Sequence, residues 1–261
     1  MMSPIVRQPG SPRRALVAAG VVGFALGGFF DGILLHQVLQ WHHFLSLLPG
    51  ERWRDLRQQV LADGLFHIAV YAIASLGLFL LWRARGEAAG AGRHLLGAAA
   101  LGFALWQAVD IVGFHWIVGI QRVRVGVEDP LLWDIGWLVA TGLPPLLLGW
   151  WLFRRPGGTG SGRAAMAGLA ALVLLAAPVA SLPQPGAVAT LVLFRPGLGA
   201  ERAMMAALDA GARVVASDAS GELLMLDMKE GSTWQLFRRG AVLVGSSAAT
   251  GGCLAWSRVA L

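Results

Sequence analysis

Five apolar runs, parted by arginines, prolines and glycines, set the plan of this chain. They predict helices over about 15–39, 61–82, 94–118, 131–153 and 164–182. Each is close to the ~20 residues needed to cross the hydrocarbon core of a bilayer. Pro49-Gly50 closes the first segment, and Pro130 opens the fourth. Pro144-Pro145 should kink that fourth helix, because proline removes a backbone donor and crowds the preceding turn. Gly23/Gly27 and Gly28/Gly32 have the small-xxx-small spacing that lets membrane helices approach closely. The fifth run is purely apolar and reads as a plain anchor.

Beyond about residue 185 the pattern shortens to strands and short helices. Val188–Phe194 predicts a strand and Ala200–Ala210 a helix ended by Gly211. Arg213–Ser217 and Glu222–Asp227 flank Ala219-Ser220-Gly221 as a hairpin. Thr233–Arg238 predicts a helix and Ala241–Val244 a last strand. The order β-α-β-β-α-β suggests a ferredoxin-like split sandwich. The expected fold is therefore a mainly α membrane protein: a four-helix transmembrane bundle, a fifth anchoring helix and a small C-terminal α+β domain. The expected boundaries are a disordered tail over 1–12, a membrane domain over 13–155, a linker and fifth helix over 156–183, and the small domain over 184–261.

Composition agrees with a membrane protein. The chain is 56% hydrophobic and only 14% charged, against about 25% charged in soluble domains. Nearly all of its 21 Lys+Arg are arginines between the apolar runs. With the N-terminus in the cytoplasm, Arg7, Arg13, Arg14, Arg83, Arg85, Arg93, Arg154, Arg155 and Arg163 lie inside. Arg52, Arg54, Arg57, Arg122 and Arg124 lie outside, diluted by Glu51, Asp55, Glu128 and Asp129. That asymmetry favours a cytoplasmic N-terminus and, after five spans, an extracytoplasmic C-terminal domain. The first run is long, holds Asp31 and has no small-x-small cleavage site, so it is expected to be a retained helix rather than a signal peptide. No basic stripe with interleaved aromatics is present, which argues against nucleic-acid binding. The single cysteine, Cys253, excludes an intrachain disulfide and a CxxC motif and is expected to be a small buried residue.

The candidate chemistry lies in the ionisable residues of the first four runs. An acidic group in an apolar segment is expensive and marks function. Asp31 and His36 fall late in the first helix, with His42 and His43 just beyond. Asp63 and His67 open the second helix, Asp110 and His115 fall late in the third, and Asp134 opens the fourth after Asp129. Given alternating directions, all of them reach the same outer leaflet, where unrelated polar residues would scatter. At ~100° per residue, Asp63 and His67 share a face, as do Asp31 and His42 if the helix continues that far. Asp31 and His36 are about 140° apart by the same rule, and so are Asp110 and His115. A local distortion at Gly32 and Gly113, a wide cavity, or one member standing behind the other would each reconcile them. The last is preferred, because a carboxylate commonly accepts the ring N–H of a ligating histidine.

The candidate ligands are thus His36, His67, His115, Asp63, Asp31, Asp110, Asp134, His42 and His43. Imidazole and carboxylate together suit zinc first, with iron or copper as alternatives. The absence of a Glu-x-x-His pair argues against a ferritin-like di-iron site. A proton relay through the same Asp and His residues is the main competitor. His94, on the other side, reads as a helix-packing residue. Gln37, Gln40 and Gln107 either line the cavity or bond between helices. Met204, Met205, Met225 and Met228 read as packing or surface residues rather than Cu(I) ligands.

The segments Gly27-Gly28-Phe29-Phe30-Asp31-Gly32-Ile33-Leu34-Leu35-His36, Trp41-His42-His43, Asp63-Gly64-Leu65-Phe66-His67, Asp110-Ile111-Val112-Gly113-Phe114-His115-Trp116 and Asp129-Pro130-Leu131-Leu132-Trp133-Asp134 resemble a bacterial inner-membrane family. That family consists of predicted membrane proteins with a domain of unknown function. The resemblance covers about residues 15–155. It implies a four-helix membrane core in the bacterial inner membrane and supplies no activity. It also implies a link to respiratory oxidase assembly proteins, and hence to copper, through gene neighbourhood. Three readings follow: a metal-dependent hydrolase acting on a lipid or amide-like substrate, a copper handler serving a respiratory oxidase, and a proton-coupled transporter. The first is similar, in ligand type only, to membrane zinc hydrolases of the ceramidase and adiponectin-receptor kind, whose His-x-x-x-His pair is absent here.

Overall fold

The computed structural model describes residues 12–39, 41–50, 53, 56–155, 160–181, 189–228 and 233–247. The expectations for residues 1–11 of the tail, for Gln40, for the side chain of Gln37 and for Cys253 concern positions outside that set. Helix α1, Arg13–Asp31, runs on as a π-wound turn, Gly32–Val38. Helix α2 is Leu56–Arg83. Helix α3, Gly92–Ala108, also continues as a π segment, Val109–Val118. Helices α4, Pro130–Trp137, and α5, Leu143–Arg154, are joined by a third π turn, Leu138–Gly142, and α6 is Gly162–Ser181. Among the described residues, five stretches are long and apolar enough to cross a membrane: Arg13–His36, Gln58–Arg83, Gly92–Val118, Pro130–Arg154 and Gly162–Val179.

Pro144 and Pro145, which lack the backbone N–H, fall in the first turn of α5, where the winding changes from π to α. The chain therefore passes them without ending the span, with the wide Leu138–Gly142 turn immediately before them. Helix α2 begins earlier than its apolar pattern predicts. Gln59, fully buried, donates its side-chain amide to the carbonyls of Leu45 and Trp53 and so anchors the polar first turns.

The described residues divide into two compact units. One takes in the chain to Phe29, Ala69–Asp110 and Gly136–Ala177. Here glycines set the helix spacing. A Cβ on Gly23 would lie 1.9 Å from the Ala99 carbonyl oxygen, and one on Gly102 2.0 Å from that of Gly20, so α1 and α3 touch backbone to backbone. Gly27 faces Trp106 and Gly28 faces Val70, so the neighbouring small residues serve different helices. Gly97 and Gly149 bring α3 and α5 together, Gly97 against the Leu152 and Phe153 side chains and Gly149 against Leu101 and the Gly97 carbonyl. His94 stacks on Phe153 at 5.4 Å between ring centroids, a packing role. Gln107 bonds between helices: its Oε1 accepts from Trp137 Nε1 at 3.1 Å and from the Thr141 hydroxyl at 3.0 Å.

The other unit comprises Phe30–Ile68, Ile111–Ile135 and the chain from Pro178. Its C-terminal part has strands β1, Ala189–Phe194; β2, Arg213–Ser217; β3, Leu223–Asp227; and β4, Ala241–Ser247. Helices α7, Ala200–Asp209, and α8, Thr233–Arg238, connect them. The sheet order is β2-β3-β1-β4 with every pair antiparallel. Strand β4 outruns its apolar pattern because β1 pairs with it as far as Ala189 opposite Ser247. Successive strand residues face opposite sides. Val192, Phe194, Leu224 and Leu226 bury against Ala203, Ala206 and Ala207 of α7 and Leu236 of α8.

The alternate residues Leu191, Leu193 and Leu223 pack with Leu243 and with Val60 of α2. Gly64 is the seat of that contact: a Cβ there would come within 2.3 Å of Leu243 Cδ1. Leu243→Asp should therefore loosen the sheet from α2 while sparing the sheet's main core. Limited proteolysis should separate the sheet from the helices faster in the variant, and an unchanged cutting rate would refute the contact. Met204 and Met205 are exposed on α7, and Met228 packs at the edge of the sheet's core.

Candidate metal centre

The site grows from the π turn after α1. In that turn the Leu39 N–H donates to the Leu34 carbonyl five residues back, at 2.8 Å. Such i→i+5 winding brings residues five apart onto the same side, and π turns of this kind recur at functional sites. Asp31 and His36 are five apart, so the winding cancels their separation on an α-helical wheel. The local distortion, rather than a carboxylate standing behind its own pair-mate, is what the structure has for these two. Asp110 and His115 are spaced alike within Val109–Val118.

The helix ends at Leu39 and does not carry on to His42. His42 instead returns through the loop and places its ring 4.7 Å from that of His36, edge to face. One ligand atom from each of Asp31, His36 and His42 lies within 4.8 Å of the other two. All three residues are buried. The ring of His115 lies 5.9 Å from His42, and that of His67 6.4 Å from His36.

The other candidates sort by what they touch. The Asp63 carboxylate bonds His43 Nδ1 through Oδ2, and its Oδ1 lies 3.1 Å from His36 Nδ1. The same Oδ1 accepts the Phe44 N–H at 2.8 Å. The backbone carbonyl of Asp63 accepts His67 Nδ1–H at 2.8 Å, so this one residue contacts three histidines. Asp134 is fully buried and accepts four donors: His115 Nδ1–H at 2.9 Å, Val123 N–H at 3.0 Å, Trp116 Nε1–H at 3.0 Å and Arg122 at 2.7 Å. Those donors occupy its acceptor positions and place it behind His115. Asp110 is buried at the second position of its π segment and is not among the three residues that converge. Asp129 is exposed.

Arg122, Trp116 and the backbone of Val123 are neighbours of the site that spacing along the chain did not single out. Val123 is used twice, because its carbonyl accepts His42 Nδ1–H at 3.0 Å. A carbonyl can only accept, so Nδ1 carries the proton and Nε2 holds the lone pair. His42 Nε2 is buried with no hydrogen-bond partner among the described residues, and the same holds for His36 Nε2. Burial, with His36 and His115 nearby, pushes the His42 imidazole well below its usual range. It is therefore neutral at pH 7, the form a metal ion requires.

The model of the family described as "predicted membrane protein (DUF2243)" matches residues 18–156, so the chain belongs to that family. No curated protein and no solved structure matches it.

Proposed function

From that membership, we propose that the chain is an integral membrane metalloprotein of the bacterial inner membrane. The Asp31 carboxylate, His36 Nε2 and His42 Nε2 hold the metal, and His67 and His115 stand next to it. The observation that carries this reading is the convergence of one buried ligand atom each from Asp31, His36 and His42 within 4.8 Å, and the histidines in and around the group are held alike. His42, His43, His67 and His115 each bond an oxygen through Nδ1. That is the tautomer and orientation with which metal-bound imidazoles are usually secured by a second layer of acceptors. Two imidazoles and one carboxylate suit zinc, and iron as an alternative. A bound metal would supply an acidified water for hydrolysis of a lipid or amide-like substrate.

The arginine asymmetry supports a cytoplasmic N-terminus and an extracytoplasmic C-terminal domain. The packing of the sheet on Val60, near Asp63, agrees with site and domain lying on one side. The sheet order supports the ferredoxin-like reading of the small domain. A second reading, a proton relay in a transporter, has its own support in the succession of rings His67, His36, His42 and His115.

Metal analysis by mass spectrometry on detergent-purified protein separates these readings. Wild type is expected to carry stoichiometric zinc or iron, lost in His36→Ala and in His42→Ala. Stoichiometric copper would move the protein to the oxidase-assembly reading, and no metal even after reloading would leave the proton relay. Gly32→Ala probes His67 from a distance. The new Cβ would come within 2.6 Å of His67 Nε2 and 3.0 Å of the Phe66 ring, so the imidazole has to swing away. Metal affinity should fall by roughly tenfold or more, the range seen when supporting groups are disturbed. Zinc competition titration of the variant checks it, and wild-type affinity would make His67 a bystander.

A further inference from the structure

His42 and Asp134 each have a tryptophan as chain neighbour, and the two indoles close on one arginine. The Arg124 guanidinium carbon lies 5.4 Å from the Trp41 ring centroid and 4.8 Å from that of Trp133. The two rings meet edge to face at 5.2 Å. The backbone around Arg124 is fixed on both sides. Val123 donates to Asp134 and accepts from His42, and the Val125 N–H donates to the Trp41 carbonyl at 3.1 Å. The guanidinium is thus positioned relative to the site by main-chain bonds as well as by its own side chain.

Its neighbour Arg122 is already committed to Asp134. Among the described residues Arg124 makes no ion pair. It also differs from Arg85, Arg154 and Arg155, which each lie over a single tryptophan three or four residues away in the same segment. A guanidinium within cation–π range of two aromatic rings is held in place by them, and its N–H groups form a fork that matches phosphate oxygens. Tryptophans at the end of a membrane helix place that fork at headgroup depth. Two indole rings beside it also lower the hydration of the cation, which strengthens its pull on an anion.

We propose that Arg124, clamped by Trp41 and Trp133, binds the phosphate of a phospholipid headgroup and holds that headgroup beside the Asp31, His36 and His42 centre. The proposal deepens the metalloprotein reading and depends on it for its functional meaning: the substrate class becomes a phosphate-bearing lipid. The binding itself does not depend on the metal, and the test is built on that difference.

The full chain, treated with chelator in detergent, is titrated with phosphatidylglycerol, and retained lipid is followed by native mass spectrometry. Arg124→Gln should retain the lipid about tenfold more weakly, which corresponds to about 1.4 kcal/mol. Trp133→Leu, which keeps the charge and removes one face of the clamp, should also weaken retention. Arg124→Lys should fall between wild type and Arg124→Gln, because a point charge lacks the fork. Equal retention by wild type and by an Arg124→Gln variant that elutes as wild type on size exclusion would overturn the site. Displacement of the lipid by inorganic phosphate would overturn the lipid assignment in favour of a soluble phosphate ester. Metal content is measured separately, so a protein that binds lipid through Arg124 but holds no metal would fail the metalloprotein reading alone.

Discussion

Asp134→Ala is expected to cost on the order of 3–5 kcal/mol of stability, the range for breaking a buried ion pair from one side. It is also expected to weaken metal binding by roughly tenfold, because His115 beside the centre loses its acceptor and His42, through Val123, loses part of its support. The reason is the number of groups that depend on this one side chain. Its removal strands the fully buried Nδ1–H of His115 and the N–H of Val123, together with the Trp116 indole N–H and the Arg122 guanidinium. Each buried donor left without an acceptor carries its own desolvation cost of about 1–3 kcal/mol. Arg122 is part-exposed and can recover some of its loss from water. Val123 also accepts from His42, so the disturbance passes to a second imidazole of the cluster.

Asp134→Asn is the informative companion. An amide has acceptor oxygen on one side only, so it can serve His115 and Val123, or Trp116 and Arg122, but not both sets. It should fall between wild type and Asp134→Ala. Thermal melting in detergent and zinc competition titration check both expectations. An Asp134→Ala protein with wild-type melting and wild-type affinity would show that this network supports neither the fold nor the site.

The second large effect is expected from alanine at Gly23 and at Gly102. The added methyl groups would sit 1.9 Å and 2.0 Å from backbone carbonyl oxygens of the facing helix, and those atoms cannot rotate aside as a side chain could. The helices must separate, and in a bilayer the close van der Waals fit is what holds such helices together. Overpacking of this kind costs typically about 1–3 kcal/mol, and more where the neighbour is rigid. The two positions are part of one contact, so the double variant should fall short of the sum of the singles. Gly136→Ala and Gly168→Ala are the controls, because a Cβ at either meets no atom within 4 Å. There the change should be neutral or stabilising by up to about 1 kcal/mol, the difference in helix propensity. Unfolding in mixed micelles titrated with a denaturing detergent would compare the four. A midpoint for Gly23→Ala equal to that of Gly136→Ala would refute the backbone contact.

The apolar runs were legible as spans because hydrocarbon demands that a crossing segment satisfy its own backbone hydrogen bonds, which leaves a long helix as the outcome of a long apolar run. The hairpin around Ala219-Ser220-Gly221 was legible for a local reason too, with Gly221 at a φ of 67° and Asp218 accepting the N–H groups of Glu222 and Leu223. The concentration of Asp and His in the first four runs was plain from the cost of placing such groups among apolar neighbours. The winding of those residues was not. A wheel of ~100° per residue sets Asp31 and His36 on different faces, and the wide turn at Gly32–Val38 sets them together.

Nor did spacing show which nitrogen of each ring would be committed. His42 depends on a carbonyl 81 residues away in sequence, His43 on a carboxylate 20 away and His115 on one 19 away. Span length and polarity are properties of single segments, and local hydrogen bonding and hydrophobicity decide them. The orientation of an imidazole depends on a partner from another segment, and only the packing of those segments brings that partner within reach.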